Sequence, residues 1–168
     1  MKKIIVAIFT LVAFSSCNEQ KIGFVDNGEL INEFQEKKDL ENKYKLKNDA
    51  FTKKRDSISQ AFQIEYAALN KRQQQSGALN QKAQFLQQQL QIEQQQLQQG
   101  FQTEIDSIIS KVNTFVEDYG KTNNYTFILG KNEAGSVMFG KAENDLTQDI
   151  LEGLNKDSKK EEASEKEE

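Results

Sequence analysis

The chain reads as an α+β protein: a small β body of three short strands and a short C-terminal helix, carrying a long antiparallel α-helical hairpin as an arm. Three observations predict this. From Leu30 to Tyr119 there is no proline, and apolar residues recur at steps of three, four and seven, one stripe of a helix. The stripe runs Leu30, Phe34, Tyr44, Phe51, Ile58, Phe62, Tyr66, Leu69, and resumes as Leu79, Ala83, Leu86, Leu90, Leu97, Phe101, Ile105, Ile108, Val112, Phe115, Tyr119. Between the halves lies Gln73-Gln74-Gln75-Ser76-Gly77, with Gly77 as the expected turn. On either side of this stretch, short β-branched and aromatic runs supply the strands. Two helices of roughly 40 residues rise about 60 Å at 1.5 Å per residue, too long to fold back into a compact globule.

The N-terminus reads as a targeting segment. Lys2 and Lys3 precede an apolar run, Ile4 to Phe14, too short to span a bilayer. Phe14-Ser15-Ser16-Cys17 then resembles a bacterial lipobox, with Phe14 where leucine is usual. The resemblance implies that residues 1–16 are a lipoprotein signal peptide and that Cys17 is lipidated at the head of a tether, residues 17–20. Ordinary secretory cleavage is the alternative. Cys17 is the only cysteine, so neither an intrachain disulfide nor a zinc cluster is expected.

Lys21-Ile22-Gly23-Phe24-Val25-Asp26 reads as the first strand, and Asn27-Gly28 turns the chain. Asp26 or Asn27 caps the first long helix, with Glu29 favourable in its first turn. The hairpin is assigned to residues 29–119. Its outgoing helix is basic between Lys37 and Arg55, read as a solvated face with pairs such as Asp39 with Lys43 and Glu41 with Lys45, the alternative being an anionic-ligand patch. The returning helix is acidic, with Glu93, Glu104, Asp106, Glu117 and Asp118, so the two helices complement one another. Residues 73–99 are about half glutamine; Phe85, Leu86, Leu90, Ile92 and Leu97 interrupt them at helical spacing and favour a weakly packed helical tip over disorder.

Gly120 is the expected end of the returning helix. Tyr125 to Gly130 and Ser136 to Gly140 read as two strands of a β-hairpin. Thr147 is a candidate N-cap for a closing helix whose apolar side is Ile150, Leu151 and Leu154. Residues 21–28 and 120–155 therefore make the body, and the charged residues 156–168 a disordered tail.

Composition excludes much. Histidine, tryptophan and proline are absent. Without histidine, most general-base and metal mechanisms lose their usual group. Nothing resembles a phosphate loop, a metal cluster or a nucleophile with its base, so neither an enzyme nor a cofactor is expected. A net charge of −4 argues against nucleic acid as partner. The body is too small to stabilise such an arm, and its strands leave apolar edges open. Ile22, Phe24, Val25, Phe127, Ile128, Leu129, Val137, Met138 and Phe139 are the candidate oligomerisation residues, through which copies pool strands into a shared β body.

The order of these pieces resembles the Skp/OmpH family of periplasmic chaperones across nearly the whole mature chain. It runs from Lys21–Asp26 through the long hairpin to Tyr125–Leu129 and Val137–Phe139. Asp145-Leu146-Thr147-Gln148-Asp149-Ile150-Leu151 is the most specific stretch. The resemblance implies a periplasmic homotrimer whose shared β body carries three helical tentacles. These enclose unfolded outer-membrane proteins and hold them from aggregation without ATP. Family members are often strongly basic and soluble; this chain is mildly acidic, and a lipid anchor at Cys17 would fix it to a membrane instead. Phe51, Phe62, Phe85 and Phe101 are candidate client contacts, the alternative being that they pack helix against helix. A different expectation is an anchored coiled-coil spacer or scaffold of the envelope that binds no client.

Overall fold

A computed structural model describes residues 20–69, 71 and 77–165. The expected signal peptide, Cys17, the expected turn residues Gln73–Ser76 and the last three residues of the expected tail lie outside the described residues. The order is β1 (Ile22–Asp26), α1 (Asn27–Glu33), α2 (Gln35–Ala68), α3 (Gly77–Thr122), β2 (Phe127–Lys131), a short 3₁₀ turn (Ala142–Asn144) and α4 (Thr147–Glu165).

The two strands pair in parallel, with Ile22 opposite Phe127 and Asp26 opposite Lys131. Parallel strands need a long crossover, and here the whole arm is that crossover. This corrects the expected hairpin between 125–130 and 136–140. Val137, Met138 and Phe139 are not a strand among the described residues; they lie in an irregular loop after Gly135, whose φ is +81°. Ser136 organises that loop by donating its hydroxyl to the Gly130 carbonyl at 2.7 Å.

Alternation assigns the sheet its faces. Gly23, Val25 and Ile128 point toward the helices: a Cβ on Gly23 would meet Leu146 at 2.4 Å, and one on Gly120 would meet Ile128 at 3.3 Å. Ile22, Phe24, Phe127 and Leu129 point the other way. Phe24 alone on that side is covered, because Gly140 lies against its ring.

The core sits where the body meets the arm. Leu30 and Phe34 enter from α1 and its end, Leu40 and Tyr44 from α2, and Ile108 and Val112 from α3. Leu146, Ile150 and Leu154 add one face at a spacing of four. Phe34, Ile150 and Leu154 are fully buried.

The outgoing helix is broken at Phe34, whose backbone is extended (φ −63°, ψ 126°). Its own N–H still donates to Leu30. The freed N–H of Gln35 donates instead to Asn155 Oδ1 at 3.1 Å, so α4 caps the arm helix from 120 residues away. At the other end of the arm, Gly120 does not stop α3. The helix runs to Thr122 and closes with Asn124 at φ +56°. Tyr125 N–H bonds Gly120 O and Asn124 N–H bonds Lys121 O, the paired bonds of a Schellman ending. Gly77 stands as the first residue of α3.

Asp26 caps α1 as expected, accepting from Glu29 N–H at 3.1 Å. Thr147 is not a cap: it is the first residue of α4, and its hydroxyl accepts from Asp26 N–H at 2.9 Å, tying that helix to the end of β1. The tail is helical, not disordered, through Glu165. Ser158 is buried and donates to Leu154 O, and Lys111 of α3 bonds both Glu36 and Glu161.

Candidate functional site

The arm is a two-helix ladder. From root to tip its rungs are Glu36 with Lys111, Lys43 with Glu104, Tyr44 with Phe101, Lys54 with Glu93 and Glu65 with Lys82. Numbers rise along α2 as they fall along α3, which defines the antiparallel register. The complementary charge anticipated from the sequence is realised between the helices. The expected pairs within α2 are not: Lys43 leaves Asp39 for Glu104, and Glu41 takes Lys37 rather than Lys45. Five of the eight basic residues from Lys37 to Arg55 thus hold carboxylates, which disperses the patch that the sequence displays.

The densest rung is at Tyr44. Its hydroxyl donates to Glu104 Oε1 at 2.9 Å, and Lys43 reaches the other oxygen at 2.6 Å. The Tyr44 ring meets Phe101 edge-on at 5.3 Å, and Lys47 lies 4.4 Å over its face. Gly100 allows this approach, because a Cβ there would lie 2.6 Å from the Tyr44 oxygen. The hydrogen bonds from Lys43, then Tyr44, hold the Glu104 carboxyl below its ordinary range. Loss of water raises Tyr44, reinforced by Glu104. Beside this rung, Tyr44, Leu97 and Phe101 floor a groove of about 460 Å³ rimmed by Glu41 and Asp49.

Beyond Lys54 the ladder thins. Ile58, Phe62, Ala83, Leu86 and Leu90 line an open apolar groove of about 380 Å³ between the helices. Large apolar side chains project outward: Leu46 is 70% exposed, Ile64 72%, and Phe85 58%, with Ile92 seven residues on from Phe85.

The four candidate contact phenylalanines therefore divide. Phe101 packs on Tyr44 and Phe62 lines the groove between helices, which is the helix-against-helix reading for both. Phe51 is half-buried, and Phe85 faces solvent. Leu46, Ile64 and Ile92 are exposed as well and lie off the main stripe, Ile92 in register with Phe85.

The candidate oligomerisation residues divide too. Phe24, Val25 and Ile128 are spent on contacts within the chain, although Phe24 shares the outer face. Ile22, Phe127 and Leu129 are exposed on the face turned away from the helices, with Met138 and Phe139 exposed on the loop that ends at Phe24; Val137 is half-buried. No group of acidic, histidine or cysteine residues able to hold a metal occurs among the described residues. No described helix is long and apolar enough to cross a membrane.

Such a molecule is an arm on a platform: the features of the described residues are surfaces and reach. The family model for the outer membrane protein (OmpH-like) group matches residues 21–154, and the chain belongs to that family. A crystal structure from Caulobacter crescentus, provisionally assigned as an outer membrane chaperone (OmpH-like), shares the fold with a TM-score of 0.61. It is 16% identical in sequence; the alignment covers 81% of this chain and 84% of that one. A search of curated proteins gives no match.

Proposed function

We propose that the chain is a periplasmic holdase. Three copies join through their bodies, their arms surround unfolded outer-membrane proteins, and a lipid on Cys17 anchors the assembly. Membership of the OmpH-like family and the fold shared with the Caulobacter protein support a chaperone role. The observation that carries the reading is the distal arm. Ile64, Phe85 and Ile92 stand in solvent on a glutamine-rich arm, where a helix built only to pair would bury them. Such sites are weak singly and suit a disordered, variable client when many act together. The exposed set Ile22, Phe127, Leu129, Met138 and Phe139 is the kind of apolar face that further copies would cover.

The test is dilution of a urea-unfolded outer-membrane barrel into buffer with the purified chain lacking residues 1–17. Suppression of light scattering at near-stoichiometric trimer, reduced by Ile64→Ser with Phe85→Ser at unchanged helicity, is the expected result. Scattering identical with and without the chain overturns the proposal.

A further inference from the structure

Contacts order the body along one axis, continuing the arm's. Starting from the arm, α3 meets Glu36 and Glu161 at Lys111, then Gly153 at Phe115, then Ile128 at Gly120. It ends at Thr122. Lys21 lies at this last level: its ammonium donates to Asn123 O at 3.1 Å and sits 4.0 Å over the Tyr125 ring, which stacks on Tyr119. Thr126 N–H bonds Lys21 O, and parallel pairing places both strand starts, Ile22 and Phe127, beside it. The N-terminal entry to the fold is therefore the pole opposite the arm tip.

We infer that this pole, marked by Lys21, Tyr119 and Tyr125, is the surface that rests on a lipid bilayer, so that the arm points away from the membrane. The inference deepens the proposed function and rests on Cys17 as the lipid anchor. Cys17 to Gln20 is four residues, which extend at most about 14 Å. That length keeps the pole at the headgroups, while the tip, about 69 Å off by the rise of the 46-residue α3, is not tied to the membrane by the tether. The pole's chemistry suits an interface without adding charge attraction. Tyr119 and Tyr125 are half-buried rings with polar ends, while Lys21 and Lys121 are offset by Glu117, Asp118 and Asp149. The tether, not a basic patch, sets the orientation. Clients then enter from the aqueous side, and the anchored membrane lies behind the body.

Full-length protein, made in cells that process lipoproteins, is reconstituted in phosphatidylcholine/phosphatidylglycerol vesicles, and protein on the outer leaflet is read. A fluorophore is placed at Thr122→Cys, at the pole, or at Gln84→Cys, near the tip; both sites are exposed. Quenching by headgroup nitroxides should be several-fold stronger at residue 122 than at residue 84. Equal quenching, or stronger quenching at 84, on protein whose mass shows lipid at Cys17 overturns this orientation alone. A mass without lipid overturns the anchor reading and this inference with it. Protein lacking residues 1–17 should stay off the vesicles and show no quenching at either position.

Discussion

Phe34 shows how much one residue can fix. It is fully buried, and it is also the point where the outgoing helix breaks. Its ring fills the centre of the core while its extended backbone redirects the chain from α1 into α2. Truncation leaves a cavity at the joint that cannot collapse without moving the arm. Phe34→Ala should cost about 3–5 kcal/mol, measured by urea unfolding. Glu104 acts differently, as a charge shared by Lys43 and Tyr44. Its carboxyl is held below the ordinary range, so its contribution is present above the ordinary glutamate value and is lost as pH falls through the lowered one. Hydrogen-exchange protection factors on α2 around Tyr44, corrected for the intrinsic rate at each pH, should therefore fall at acid pH. Glu104→Gln should flatten the acid dependence at this rung while leaving the distal rungs, Lys54 with Glu93 and Glu65 with Lys82, unchanged.

Among elements, α4 reaches further than a short closing helix. Leu146, Ile150 and Leu154 bury one face in the core, Asn155 caps α2, and Glu161 shares Lys111 with Glu36. The body thereby holds the root of the arm at a set angle. Asn155→Ala removes the acceptor of Gln35 N–H and should cost about 0.5–2 kcal/mol, read as a fall in melting temperature with helix content preserved. The same elements explain what the sequence could convey. The arm was legible because its stripe is local and its charges are complementary. The break at Phe34 was not, since its cap comes from a residue 120 positions on. Parallel pairing was hidden for the same reason: Tyr125–Gly130 and Ser136–Gly140 look like hairpin neighbours, but β2 finds Ile22–Asp26 across the whole arm. The tail reads as disordered because its composition is polar. Ser158 and Glu161 become helical through Leu154 and Lys111, which sequence adjacency alone does not announce. Of the candidate client contacts, Phe85 is exposed, while Phe62 and Phe101 pack between the helices, a division that the shared helical spacing does not reveal.

For the whole molecule, a thin two-helix arm on a small platform leaves apolar surface on the outer sheet face, with Ile22, Phe127 and Leu129, and again on the distal arm. In the proposed trimer, burial of the first against further copies would supply the stability that so small a body lacks. Exposure of the second is then available for clients, with the arm's reach deciding what can be enclosed. Assembly and holding are thus one claim, since a lone arm encloses nothing. Native mass spectrometry of the chain lacking residues 1–17, at micromolar concentration with an equimolar urea-unfolded outer-membrane barrel, tests both parts at once. The account predicts a particle of three copies with one client bound. A folded single copy without client would contradict it.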